Sequence, residues 1–261
     1  NGKVATIGSY SKGGKKEGLF KEYAMDGSIT SAKIYQGDQV LSEGSVNDLG
    51  VMEGPWVEYY ATGEKRAEGS YTNGKKEGDW MFYHRSGKVE QKGKYMNGLA
   101  HGSWRWFYEG GAVHREELYR KGKEDGASVE YDEVGKVITQ GEYIDGLREG
   151  KWLYEVGDHK EEGSYKGGLK DGTWVYTYGD GKKYFTGNFV DGEPDGKQRW
   201  YWPNGQLKEE GRYSLGLEQG DFTYLDDQGN VLMVIKFRDG AEIRIDGERV
   251  PAPFHAGEGQ P

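Results

Sequence analysis

The residues able to do chemistry recur at fixed places. An acid stands before a glycine at Glu17, Glu53, Glu77, Asp125, Glu149, Asp171 and Asp195. Calcium is one occupant for such a rim, but no copy supplies the several oxygens within one loop that this ion takes. A carboxylate accepting turn N–H groups is the simpler reading. The five histidines, His84, His101, His114, His159 and His255, fall at unrelated positions. No metalloprotease, nucleophile-elbow or phosphate-loop motif is present, and there is no cysteine. The expectation is a protein that binds rather than catalyses, with no cofactor and no metal.

What positions these acids is a repeat. The first aromatic of each copy falls at Tyr71, Tyr95, Tyr119, Tyr143, Tyr165, Phe189, Tyr213 and Phe237, a spacing of 24 residues with one step of 22. A fixed period of this length signals a repeat architecture. Each copy holds two short aromatic runs separated by glycine-rich punctuation, as in Gly69–Lys92. That length suits two strands and two turns, but not a helix pair. Asn73-Gly74, Asn97-Gly98, Asp145-Gly146 and Asp191-Gly192 supply residues that accept positive φ, as hairpin turns require. Trp80 and Phe82 alternate with Met81 and Tyr83, the period of a strand.

The second strands stack into columns. Trp56, Trp80, Trp104, Trp152, Trp174 and Phe222 share one position, interrupted by Ser128 and Gln198. Two residues later come Phe82, Trp106, Tyr154, Tyr176, Trp200 and Tyr224, while Tyr59, Tyr83, Phe107, Tyr131 and Tyr201 take the opposite face. The first two columns read as the packed concave surface of a curled sheet. A four-residue loop from Asn73 to Gly78 would set Tyr71 against Trp80 and Gly69 against Phe82. A turn at Ser86-Gly87 would set Trp80 against Gly93. Each large ring then has a glycine on a neighbouring strand, a pairing that stabilises sheets.

These units resemble MORN repeats, most closely the bacterial YwqK-type variant that carries an antitoxin label. Gly93-x-Tyr95-x-Asn97-Gly98 and Gly102-x-Trp104 stand at the motif's two halves, and the likeness runs over roughly residues 8 to 245. Glu117 departs from the pattern at a glycine, Ser128 and Gln198 at the tryptophan, and Val46 at the tyrosine, so those copies are expected to be weaker hairpins. The resemblance implies a scaffold that binds another protein, with an immunity or complex-assembly role as its finer form.

The expected fold is all-β: an elongated, single-layer antiparallel meander of nine or ten hairpins, twisted or curled. Residues 1–45 form an irregular first repeat and junction, where Gly44-Ser45-Val46 follows Tyr35 after half a period. A strand inserted here would reverse the up-down sense of every later copy; an ordinary long hairpin is the alternative. Residues 46–230 are the regular array, 231–250 an aliphatic capping hairpin, and 251–261 a Pro/Gly-rich tail. The structural repeat positions are Trp56, Tyr71, Trp80, Tyr95, Tyr143, Trp152, Tyr165, Trp174 and Tyr213.

Hydrophobic residues make up only 34% while aromatics reach 14%, so cohesion must come from rings packed on a sheet rather than from an aliphatic core. The net charge of −9 speaks against nucleic acid. The lysines of Lys15-Lys16, Lys75-Lys76 and Lys182-Lys183 read as solvated turn residues. Val231–Ile235, the longest aliphatic run, is far too short for a transmembrane segment. The lack of cysteine and of a starting methionine leans towards a cell-envelope or extracytoplasmic location, with the cytoplasm as the alternative. The binding candidates are Trp104, Arg105, Trp106, Phe107 and Tyr108, with Arg199, Trp200, Tyr201 and Trp202, because large rings beside arginine compose interaction hot spots. Carbohydrate binding by an exposed Trp/Tyr ladder is the alternative function, and membrane contact is disfavoured by the charge.

Overall fold

The computed structural model describes residues 4–250, and the tail 251–261 lies outside them. The described residues form twenty-three strands, from Thr6–Tyr10 to Glu248–Arg249, and no helix. They fall into two units, residues 4–137 with 143–146, and residues 138–142 with 147–250. Within each unit the strands pair antiparallel with their sequence neighbours. Each ladder is open, not curled into closure, which corrects the expectation of a curled sheet.

Two connections alternate through the array. Asn73 and Gly74, at φ 50° and 75°, make a two-residue turn, and Thr72 pairs with Lys75 across it. The other connection is a five-residue loop, as at residues 84–88, where the His84 N–H donates to the Lys88 carbonyl. The register at the tight turn corrects the four-residue reading. Tyr71 pairs with Lys76 and Ala67 with Phe82. The slip arises at Gly78, which takes φ +69° and bulges the second strand. Only a residue free of Cβ constraint adopts that conformation cheaply. Beyond the bulge the strand is re-phased, and Trp80 pairs with Gly93 as the spacing predicts.

The bulge is what lays the tryptophan over a glycine. A Cβ built on Gly69 would lie 2.3 Å from the Trp80 ring, and one on Gly93 would lie 2.1 Å from Trp104. Gly141 under Trp152 and Gly163 under Trp174 repeat this. Each indole also donates to the carbonyl one residue beyond its glycine, as Trp80 does to Ser70 at 3.1 Å and Trp174 to Ser164 at 3.1 Å. The columnar indoles are thereby almost wholly removed from water: Trp56, Trp80 and Trp174 are 1% exposed or less. The first-strand tyrosines stand edge-on between successive indoles, with Tyr71 6.1 Å from Trp56 and 5.2 Å from Trp80. Tyr95 bridges Trp80 and Trp104, and Tyr165 bridges Trp152 and Trp174. Tyr213 meets Phe222 in the same way, and Tyr143 lies in the strand Val137–Ile144.

The two interruptions of the column are compensated rather than empty. Gln198 is 1% exposed, and its amide N–H donates to the Asn188 carbonyl at 2.7 Å, the bond an indole makes elsewhere. The Gln198 carboxamide itself lies over Gly187, its Oε1 buried without a hydrogen-bond partner among the described residues, and the tip of the Phe185 ring shares the space that the missing indole would occupy. At the other interruption small and large exchange sides: Glu117 stands where a glycine belongs and Ser128 where a tryptophan belongs. The Ser128 hydroxyl donates to Glu117 at 3.4 Å, and Tyr119 donates to the same carboxylate at 2.7 Å.

The half-period near residue 40 is an inserted strand. Ile29–Gln36 and Gln39–Val46 are joined by a tight turn at Gly37-Asp38, and Gln39–Val46 then pairs with Met52–Tyr59. The ladder Lys21, Ala32, Gly44, Trp56 runs straight across four strands. Directly paired residues share a face, so Phe20, next to Lys21, points to the side opposite Trp56. The insertion turns the first repeat over. A small apolar core of Ala32, Val46 and Trp56 seals the junction.

At the C-terminal end, Val231–Arg238 pairs with Ala241–Ile245 across the turn Asp239-Gly240. A further two-residue strand, Glu248–Arg249, pairs with it.

Trp80→Ala should lower unfolding free energy by about 3–5 kcal/mol in denaturant melts, since it empties a dry site. Ser128→Trp alone should destabilise, because Glu117 blocks its seat. Adding Glu117→Gly should recover stability, with a coupling of about 1–3 kcal/mol in the double-mutant cycle. Simple additivity would show that the two positions do not share one volume.

Candidate interaction surface

Both rims of each sheet are tied by side chains from the preceding copy. On the tight-turn rim the recurring carboxylates accept backbone N–H groups from the next turn. Glu53 accepts from Asn73 at 2.8 Å, Glu77 from Asn97 at 2.7 Å, and Glu149 from Gly167 at 2.8 Å. Glu17, Asp125 and Asp195 do the same at 3.1–3.3 Å. On the loop rim, the first loop residue donates to a carbonyl 23 positions on: Tyr60 to Tyr83, Tyr108 to Tyr131, Tyr178 to Tyr201 and Trp202 to Leu225. A His84 ring nitrogen makes the corresponding contact with the Phe107 carbonyl. These acids and rings are therefore occupied by the fold. Among the described residues no group of three His, Asp or Glu gathers as a metal site.

Trp104 is 3% exposed and belongs to the buried column. Tyr108 and Trp202, which exceed the two-ring template in sequence, are loop ties. Trp106 is half-buried and carries the Arg115 guanidinium 4.2 Å above its ring. Trp200 is half-buried 5.1 Å from Phe185. Arg105 pairs with Glu116, and Arg199 with Glu210 at 2.6 Å, both on the opposite, polar face.

On that polar face the tyrosine row is mostly tethered. The Tyr59 hydroxyl donates to Glu43 at 2.5 Å, Tyr83 to Glu68, and Tyr131 to Glu116 at 3.2 Å. Tyr59 is pushed up to about 12, first by its Glu43 hydrogen bond, while Tyr83 and Tyr131 are pushed up first by burial and then by Glu68 and Glu116. Phe107 has no hydroxyl to tether, and the Tyr201 hydroxyl makes no hydrogen bond among the described residues. Both rings are half-exposed beside an arginine. In the first unit a shallow groove of about 500 Å³ opens here, lined by Asp79, Met81, Lys92, Lys94, Ser103 and Arg105. The Lys92 ammonium lies 5.4 Å from the Phe107 ring, at the side of that groove.

On the aromatic face lies a set of cations, two of which, Lys16 and Lys76, the sequence reads as solvated turn residues. Lys76 is no simple turn residue: its ammonium sits 3.8 Å from the centre of the Trp80 ring and 3.4 Å from Glu58. Lys170 lies 4.0 Å over Trp174, and the Arg148 guanidinium 5.2 Å over Trp152. Lys16 covers Tyr35 and Phe20 in the inverted first repeat. Burial among the rings pulls the Lys76 and Lys170 ammonium groups below their usual range, against the pull of Glu58 and Glu161. The legible signal was a basic residue four positions before the columnar ring, in Lys16/Phe20, Lys76/Trp80, Arg148/Trp152 and Lys170/Trp174.

Four stretches match the MORN repeat variant: residues 52–73, 76–97, 100–121 and 194–214. Each runs from a second strand through a five-residue loop into the following first strand, so the family's repeat unit is the hairpin around the longer loop. A comparison with curated proteins returns no match.

Lys76→Ala should cost about 1–2 kcal/mol in urea melts, the range of a partly desolvated cation over a ring with an ion pair beside it. Lys76→Arg should retain most of it. Equal stability of Lys76→Ala and the parent would show the ammonium to be a bystander. Glu77→Ala should speed hydrogen exchange at the Asn97 amide, leaving the Asn73 amide, held by Glu53, unchanged.

Proposed function

We propose that this protein is a non-enzymatic repeat scaffold that holds another protein on the polar face of its sheet. MORN repeats are in general protein- or membrane-binding motifs, and the four matched stretches support that reading for this chain. The observation that carries the choice of surface is the row of polar-face rings. Three are tethered by carboxylates, whereas Phe107 and Tyr201 are left half-exposed beside Arg105 and Arg199. Large rings at low entropic cost beside an arginine are what interface hot spots are made of. The groove of Met81, Lys92 and Arg105 adds a concave seat next to Phe107.

The finer form of the proposal is an immunity- or assembly-type role, following the resemblance to YwqK-type repeats. Carbohydrate stacking has less support, because Lys76, Arg115, Arg148 and Lys170 already lie over the rings a sugar would use.

A photo-crosslinking residue placed at 107 or 201 should trap a specific protein, and one at Trp104 should not. With that partner in hand, Phe107→Ala and Tyr201→Ala should each weaken binding by more than about 1 kcal/mol while melting changes little. Early melting with normal binding would assign both rings to packing.

A further inference from the structure

In four copies the chain sets its own cation over the columnar ring, at Lys16, Lys76, Arg148 and Lys170, but over the last copies it does not. The position held by Lys76, Arg148 and Lys170 becomes Pro194 and then Glu218. Register places the neighbours on one face. Trp200 pairs with Glu209, Glu209 with Tyr224, and Tyr224 with Met233. Tyr213, paired with Glu218, stands 5.3 Å from Phe222. Phe237, paired with Glu242, stands 4.9 Å from the same ring. The basic residues of this stretch are engaged elsewhere: Lys197 and Arg199 share Glu210 on the other face, Arg212 and Lys236 adjoin the inward Gly211 and Ile235, and the Lys208 ammonium lies 4.6 Å from the Trp202 ring.

The result is a patch of Trp200, Tyr213 and Tyr224 with the carboxylates of Glu209, Glu218 and Glu242, and with no cation over the rings among the described residues. None of those three carboxylates makes an ion pair or side-chain hydrogen bond among the described residues. Glu209 is half-buried between Trp200 and Tyr224, and this burial pushes its carboxyl up, since a lone charge is costly there. Tyr213 is pushed up to about 12 by burial and by the neighbouring carboxylates Glu218 and Glu209.

The other copies show what this arrangement accepts. At Trp80 and Trp174 the same face, with the same strand geometry, holds an ammonium 3.8 Å and 4.0 Å from the ring centre, with Glu58 or Glu161 alongside. We propose that the patch of Trp200, Glu209, Tyr213, Glu218 and Tyr224 receives a lysine or arginine side chain from a protein partner, which takes the place of the internal cation. Charge complementarity selects the occupant: three carboxylates and three electron-rich rings attract an organic cation and repel an acidic peptide. The proposal rests on the scaffold reading and adds a second contact to it, independent of Phe107 and Tyr201.

The test uses the full chain, an acetylated Arg-Gly octapeptide and, as control, a Glu-Gly octapeptide. The indole N–H resonance of Trp200, assigned from Trp200→Phe, reports occupancy of the patch. A saturable shift with the Arg-Gly peptide and none with the Glu-Gly peptide is expected. Glu218→Lys restores the cation found at Lys76 and Lys170, so it should fold, melt no earlier than the parent, and bind the peptide at least tenfold more weakly. Glu209→Gln should weaken binding severalfold, while Glu210→Gln, on the polar face, should not. The proposal is overturned by no shift at millimolar peptide, by unchanged binding in Glu218→Lys, or by equal losses in Glu209→Gln and Glu210→Gln. Binding to phosphatidylcholine vesicles in place of the peptide overturns it as well. If the crosslinked partner still binds Glu218→Lys normally, this patch fails as a contact while the scaffold reading stands. If no partner is trapped at 107 or 201, the scaffold surface fails whatever the peptide does.

Discussion

An indole lying flat on a glycine of the adjacent strand is the contact on which the rest of each sheet depends. A sheet with no helix or second sheet covering it has few ways to dry its side chains. Here the backbone of the neighbouring strand serves as the floor of the apolar site, which requires that the floor carry no Cβ. The edge-on tyrosines close the sides, and the indole N–H satisfies a carbonyl that the bulge at Gly78 and its counterparts leaves free. The same contact explains why the exceptions come in pairs. A tryptophan is lost at Gln198 together with a gain of bulk at Phe185, and a glycine is lost at Glu117 together with a loss of bulk at Ser128.

Because each site is closed by the next copy, order is passed along the chain by local ties rather than by a central core. The carboxylate before the bulge glycine holds the following tight turn, and the first loop residue holds the following loop. Both are hydrogen bonds near the rim, individually modest, but they fix the ends of strands whose middles are fixed by the rings. Six of the seven acids that recur before the bulge glycine, all but Asp171, are consumed in this way. Chemistry is left to the positions that vary between copies.

That variation separates the functional candidates from the frame. On the polar face, the row of tethered tyrosines is broken where Phe107 has no hydroxyl and where the Tyr201 hydroxyl is unengaged. On the aromatic face, the row of internal cations is broken at Pro194 and Glu218. In each case a residue type that several other copies carry is withheld, and ring surface is left partly open. Binding energy is better drawn from such places than from Trp104, whose removal would open the packed column.

The hairpin period, the places of the turns, the ring columns and the pairing of Trp80 with Gly93 were legible in the sequence alone. They follow from local rules: residues that tolerate positive φ, alternation along a strand, and a constant repeat length. The carboxylate ties were legible for the same reason, since a repeated acid beside a repeated turn has one simple use. The tertiary structure alone decided the register across the tight turn, because a glycine bulge changes the phase of a strand without changing its spacing. It decided that Lys76, Arg148 and Lys170 lie over rings, since a side chain's direction depends on that phase. It also decided that the strand inserted before Val46 turns the first repeat over and sends Phe20 to the opposite face from Trp56. Parity of strand number is a property of the whole ladder, and no single repeat contains it.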